Sequence, residues 1–363
     1  MSPRRTLGTA AIGAAGAAGL ATIGAAVGVT RHRRALSRRP GPGPEDHPDV
    51  PLGSLRSAPL TVVADDGVPL HVEVDEPETG AAGAAGDVTV VLVHGYALTL
   101  DCWHFQRLHL RRAGVRTVLY DQRSHGRSGR SDLEHATIDQ LGLDLKRILD
   151  EVVPDGPVVV VGHSMGGMTV VALVEQHPEL FGDRVVGVGL VSTTAGGLDV
   201  GRLLLPVVPA KIGLPLAQRT IATLARRPTS VDRLRRLGKA VAMVATDLFA
   251  FGDDVPAAYV EFVDGMLSAT PYEVVAEFFP AFGGLDKFDA VEVLGRVPTT
   301  IVCGTADRLT SIGHSRKLHS RIRGSRLVEV DGAGHMVVLE RHEQVDAEID
   351  RLLAAAGTKE LAG

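Results

Sequence analysis

The sequence predicts an α/β fold: a mostly parallel sheet of eight strands, flanked by helices, with a helical cap inserted between strands 6 and 7. Three observations carry this expectation. Continuous apolar runs such as 88–93 (VTVVLV) and 158–161 (VVVV) read as strands buried on both faces. Stretches with helical apolar spacing alternate with them, the pattern of a parallel sheet covered on both sides. Between about 198 and 296 strand-like runs vanish and helical patterns with proline breaks take over, a block too long for a strand-to-helix loop.

The first segment stands apart from that body. From Leu7 to Val29 there are 23 residues without a charge, flanked by Arg4 and Arg5 and then by Arg31, Arg33, Arg34, Arg38 and Arg39. A helix of that length reaches about 34 Å, enough for a hydrocarbon core of about 30 Å. Nine alanines and six glycines leave only six strongly apolar side chains, which weakens insertion. Three readings stay open: a single membrane anchor with the body on the cytoplasmic side, a cleaved twin-arginine-type export leader, or a low-complexity tail. The first is the expectation adopted, giving membrane association through residues 7–29. Residues 1–39 are thereby set outside the fold, and their deletion is expected to leave soluble, active protein. Residues 40–57, opening with PGPGPEDHPDVP, form a proline-rich spacer.

The body then divides into 58–197, the cap at 198–296, a return at 297–355 and a tail at 356–363. Residues 60–64 and 68–74 flank Asp65-Asp66-Gly67, a hairpin signature. After a flexible GAAGAAG loop come the strand at 88–93, an amphipathic stretch at 101–113 and a strand at 116–120. The apolar spacing of Ile138, Leu141, Leu145, Ile148 and Leu149 predicts a helix over 137–152. Strands at 158–161, 185–191, 299–303 and 326–330 follow, with helices at 165–177, near 312–322 and near 341–355.

Charge and cysteine content exclude several classes. Residues 1–44 hold seven arginines and no acid, so the remainder carries a net charge of −12 out of the chain's −5. An acidic body has no footprint for nucleic acid. Two cysteines, Cys102 and Cys303, make neither a disulfide framework nor a four-ligand zinc site, and read as buried small hydrophobes. No metal cluster and no dinucleotide fingerprint appear, so neither metal nor cofactor is expected.

Gly162-His163-Ser164-Met165-Gly166 matches G-x-S-x-G, a weak pattern alone. Its setting strengthens it, because it follows a strand and opens a helix. Such a turn lifts the serine hydroxyl above the sheet, beside the free N–H donors of a helix start. The bland alternative is a serine capping an ordinary helix. A serine needs a base and an orienting acid. Asp307 closes a buried strand, and His335 lies in Asp331-Gly332-Ala333-Gly334-His335 after the next one. Serine, acid, histidine is the chain order of nucleophile-elbow hydrolases.

At this point the chain resembles the α/β-hydrolase superfamily over about residues 58–355. The motifs are His94-Gly95-Tyr96, DQRSHGRS at 121–128, GHSMGG at 162–167, GTAD at 304–307 and GAGH at 332–335. The resemblance implies Ser164 as nucleophile, His335 as base, Asp307 as acid, and the backbone N–H groups of Tyr96 and Met165 as oxyanion hole. Competitors remain. His163 reads as a packing residue, the resemblance implies that His94 and His125 shape loops, and His342 lies on an expected helix; Asp286 and Asp289 lack a preceding strand. Asp199 is the serious rival acid, and Asp121 reads as a brace for its own loop. Gly196-Gly197 and Gly283-Gly284 are candidate hinges or simple turns.

Serine at the elbow points to an acyl-enzyme, and the apolar cap to a small or lipid-like ester or acyl substrate. The expected activity is carboxylic ester hydrolysis of the carboxylesterase or lipase type. Same-triad alternatives are a carbon–carbon bond hydrolase, a thioesterase or a cofactor-free haloperoxidase; the remaining class is a non-catalytic ligand-binding relative.

Overall fold

In the computed structural model, the structure describes residues 32–43, 46–77, 87–198 and 246–360 apart from 33, 37 and 48, together with 243. Eight strands form one sheet: β1 (Pro59–Val63), β2 (Pro69–Asp75), β3 (Thr89–Val93), β4 (Thr117–Tyr120), β5 (Val158–His163), β6 (Val185–Val191), β7 (Thr299–Gly304) and β8 (Arg326–Val330). Their spatial order is β1-β2-β4-β3-β5-β6-β7-β8. The hairpin β1–β2 is antiparallel and β2 meets β4 antiparallel; every later pairing is parallel. The predicted eight strands and their mostly parallel arrangement are therefore present, with ends shifted by a residue or two.

Strands β3 and β5 are buried along their whole length because helices cover both sheet faces. The helices are α1 (His104–Arg112), α2 (Ile138–Val152), α3 (Met165–Gln176), α4 (Ala257–Ala269), α5 (Tyr272–Gly283), α6 (Ile312–Arg321), α7 (Val337–Glu340) and α8 (His342–Glu360). The amphipathic stretch at 101–113 splits: a 3-10 turn, Leu100–Trp103, capped by the Thr99 hydroxyl, precedes α1. Thr137 caps α2 in the same way, its hydroxyl accepting the Gln140 N–H at 3.1 Å. One apolar cluster lies on each sheet face. A third joins α5 to the start of α3 through Phe278, Phe282, Met165 and Met168.

Between β6 and β7 the described residues are helical at 246–250, in α4 and α5, and as a 3-10 turn at Ala290–Arg296. The insertion enters and leaves at one place. Gly196 bridges Asp286, and the Lys287 N–H donates to the Ala195 carbonyl at 2.8 Å. Of the two glycine pairs suggested as hinges, Gly196 and Gly197 both have positive φ, 153° and 75°, which favours glycine there.

Two expectations about the N-terminus change. The transmembrane segment and membrane localisation are corrected: among the described residues no helix is long and apolar enough to cross a membrane. The longest of them, α8, has 19 residues and carries charges from Glu343 to Glu360. Residues 7–29, on which that expectation rested, lie outside the described residues. Setting all of 1–39 apart from the body also cuts through packed structure. Leu36 is 2% exposed within the main cluster, and His32 and Arg39 both bond the buried carboxylate of Asp247 at 2.6 Å.

Candidate active site

Strand β5 ends at His163 and α3 begins at Met165, so the whole reversal falls on Ser164, with φ 53° and ψ −119°. A non-glycine residue at positive φ costs free energy and persists only where its surroundings over-determine it. Here they do. The Ser164 N–H donates to the Val191 carbonyl at 3.0 Å, and its own carbonyl accepts from the Thr193 hydroxyl at 2.6 Å. Two flanking glycines let the helix sit this close to the sheet. A Cβ on Gly162 would lie 2.5 Å from the Gly166 main chain, and one on Gly166 would lie 2.0 Å from the Val93 carbonyl oxygen. The pentapeptide pattern is thus a packing requirement between β3, β5 and α3.

The structure brings Ser164, His335 and Asp307 together. Asp307 follows β7 and His335 follows β8, so the sheet order places both next to the elbow. His335 Nε2 lies 2.9 Å from Ser164 Oγ, and its Nδ1 lies 2.9 Å from Asp307 Oδ2. An ionised carboxylate only accepts, so the imidazole proton belongs on Nδ1 and Nε2 is left to accept the serine proton. The other oxygen, Oδ1, accepts the N–H groups of Leu309 at 2.8 Å and Thr310 at 2.9 Å. Burial works against ionisation of Asp307. The His335 charge, its hydrogen bond and the Thr310 and Leu309 amides outweigh it, holding the carboxyl below its ordinary value.

The neighbouring histidines have other partners. His163 is buried beneath the site; its Nε2 donates to the His335 carbonyl at 2.9 Å and its ring lies 4.9 Å from that imidazole. Burial, then the adjacent His335, pushes its pKa down to about 3, so His163 stays neutral. His94 accepts the Gln122 N–H at 2.8 Å and donates to the Gly95 carbonyl at 2.7 Å. Burial brings it to about 4. His125 donates to the Arg123 carbonyl at 2.9 Å, and His342 opens α8 beside Asp46 and Asp346. Asp121 accepts the Leu100 and Arg127 N–H groups at 2.8 and 2.9 Å, bracing the loop through Gly126.

Tyr96 follows β3, in a turn closed by the Leu98 N–H and the Gly95 carbonyl. A Cβ on Gly95 would stand 3.1 Å from the Ser164 Cβ, so this turn lies directly against the elbow. The Tyr96 hydroxyl donates to the Val275 carbonyl of α5, and its ring packs edge-on to Phe282 at 5.0 Å. Of the rival acids, Asp289 pairs with Arg321 at 3.5 Å, and Asp199 lies outside the described residues. Cys102 and Cys303 are free and buried. Burial, reinforced by Asp307, lifts the Cys303 thiol to about 12.

Sequence reasoning missed Thr310. Its hydroxyl lies 2.9 Å from Asp307 Oδ2, 2.7 Å from the Ser192 carbonyl and 3.3 Å from His335 Nδ1. The Asp-x-x-Thr spacing, a local side-chain-to-backbone turn pattern, was the available signal. Ser192, whose carbonyl accepts the Thr310 hydroxyl, was also unforeseen, and it sits at φ 44°.

An eight-stranded, mostly parallel sheet with a serine on the sharp turn between its fifth strand and the following helix is the architecture of an α/β hydrolase. The chain belongs to the alpha/beta hydrolase family, whose model matches residues 90–348. Among curated relatives it is 27% identical over 202 residues to a monoacylglycerol lipase of Mycolicibacterium smegmatis, covering 52% of this chain and 69% of that one. It is 26% identical over 268 residues to the dihydrolipoyllysine-residue acetyltransferase component of the acetoin cleaving system of Pseudomonas putida. That match covers 74% of this chain and 64% of the relative's length. Among solved structures, an esterase from Exiguobacterium antarcticum superposes with a TM-score of 0.63 at 18% identity, over 83% of this chain and all of the other.

Proposed function

We propose that this protein is a serine hydrolase that cleaves the carboxylic ester bond of a small or lipid-like apolar substrate through an acyl-enzyme. The observation that carries the reading is the pair of 2.9 Å contacts that His335 makes, through opposite ring nitrogens, with Ser164 and Asp307. In this mechanism Ser164 Oγ attacks the ester carbonyl carbon while its proton passes to His335 Nε2. The oxygen that becomes negative is met by the N–H groups of Met165, first in α3, and of Tyr96. The carbon–oxygen bond then breaks, and the departing alcohol takes the proton from His335. Water attacks the acyl carbon as one of its protons passes to His335; the bond to Ser164 Oγ then breaks, His335 returns the proton to that oxygen, and the carboxylic acid leaves.

Apolar substrate preference is supported by the surroundings. Met165, Met168, Phe278, Phe282 and Leu285 form one buried cluster beside the serine, with Tyr96 packed against it. The esterase and lipase among its relatives point to small ester substrates.

A fluorophosphonate probe tests the nucleophile. Wild type should be labelled, and Ser164→Ala should lose labelling and ester turnover together; an unlabelled wild type overturns the reading. A panel of p-nitrophenyl esters of increasing acyl length, acyl-thioesters and vinylogous diketones tests the reaction. Preference for the esters is expected. Turnover confined to thioesters or diketones would replace ester hydrolysis by one of those activities.

A further inference from the structure

Glu340 ends α7, five residues after His335, and is 8% exposed. Its carboxylate is occupied by main-chain donors. Oε1 accepts the Gly334 N–H at 2.7 Å; Oε2 accepts the N–H groups of Gly252 at 3.0 Å and Asp253 at 3.4 Å. Gly334 precedes His335, whereas Gly252 and Asp253 belong to the insertion between β6 and β7. One side chain therefore grips two loops that lie over eighty residues apart in sequence.

Those loops interlock closely. A Cβ on Gly252 would lie 2.1 Å from the Gly332 carbonyl oxygen, and one on Gly334 would lie 2.4 Å from the Gly252 nitrogen. On the other side of His335, the Met336 N–H donates to the Ala250 carbonyl at 2.8 Å. Both chain neighbours of His335 are thus tied to segment 250–253, one directly and one through Glu340. Burial lifts the Glu340 carboxyl to about 7, with the Gly252, Gly334 and Asp253 N–H groups and nearby Arg341 acting against it. Arg341 itself pairs with Asp253.

We infer that Glu340 is a positioning residue for His335: its carboxylate makes the alignment of the imidazole between Ser164 and Asp307 depend on segment 250–253 of the insertion being seated. The inference rests on the hydrolase reading for its effect on turnover, but not for its effect on His335. A ring held at 2.9 Å on both sides tolerates little displacement, since misplacement by about 1 Å costs about a hundredfold in rate. Without the carboxylate, buried N–H groups on both loops lose their acceptor, which favours separation of the loops.

The test uses the full chain with Glu340→Gln and Gly252→Ala, the second leaving Glu340 intact while its methyl group forces segment 250–253 away from the Gly332 carbonyl. The first readout, taken without substrate, is the downfield proton resonance of His335 Nδ1–H in its bond to Asp307, assigned by its loss in His335→Gln. The second is kcat and KM on a short p-nitrophenyl ester, with thermal melting as the check on folding. Expected in both variants are a broadened or lost resonance and a kcat lower by about ten- to a hundredfold, with KM within about twofold and cooperative melting retained. A sharp resonance with kcat within about twofold of wild type overturns the inference. If Glu340→Gln does not fold, Gly252→Ala and Glu340→Asp carry the same comparison. A wild type inactive on every ester sinks the hydrolase reading, while the resonance still decides the role of Glu340.

Discussion

At the scale of single residues, Asp307 shows how a hydrogen-bond network assigns a role. Its Oδ1 is committed to two main-chain donors, Leu309 and Thr310, so Oδ2, which also accepts the Thr310 hydroxyl, is the oxygen that faces His335. In Asp307→Asn the amide oxygen takes the place of Oδ1, because only an acceptor fits there, and the NH2 group is forced toward His335 Nδ1. A donor there moves the ring proton to Nε2, which then cannot take the serine proton. The expected loss in kcat is about 10⁴-fold, the magnitude measured for the corresponding change in a serine protease, with little change in KM. Asp199→Asn is the matching control. An unimpaired Asp307→Asn with a crippled Asp199→Asn would transfer the acid role to Asp199.

Among the described elements, α5 packs against the helix that the elbow opens. It lays Val274, Phe278 and Phe282 against α3 and receives the Tyr96 hydroxyl at Val275. Phe278 is completely buried and meets the His125 ring edge-on at 5.4 Å. Phe278→Ala should destabilise the protein by about 3–5 kcal/mol through the cavity it leaves. Because the cluster includes Met165, the same change should raise KM for long-chain esters more than for short ones. Equal effects on both chain lengths would detach α5 from substrate binding. Apolar content across 198–296 signalled a packed helical insertion, but not which helix meets the elbow. That depends on where the insertion enters and leaves the sheet, a contact between Gly196 and Asp286 ninety residues apart.

For the molecule as a whole, His32, Leu36 and Arg39 of the N-terminal segment are packed into the fold. Arg39 bonds Asp247 at 2.6 and 3.1 Å and pairs with Asp254 at 2.6 Å. Deleting residues 1–39 strips Arg39 and His32 from the buried Asp247 and removes Leu36 from the core. An unpaired buried charge costs roughly 3–5 kcal/mol, so the truncated protein should melt several degrees lower than the full chain. Asp247→Asn should restore part of that loss in the truncated protein and destabilise the full chain. Equal melting temperatures for full and truncated chains would show that the segment contributes nothing.

The sequence by itself determined the layered fold and the three residues now joined at Ser164, because each signal is local: apolar period, a glycine-flanked serine after a strand, an acid and a histidine at strand ends. Parallel strands bring their carboxyl ends to one edge of the sheet, which is why residues that follow β5, β7 and β8 come within reach of one another. The arginines around residue 39 misled for the complementary reason. Charge beside an apolar run reads as a membrane flank until the buried acid that neutralises it, more than two hundred residues later, is in view. Glu340 was invisible on the same ground: it acts through main-chain partners that only the folded chain brings within reach. Thr310 left the local Asp-x-x-Thr spacing as a signal, but its approach to His335 exists only in the folded chain.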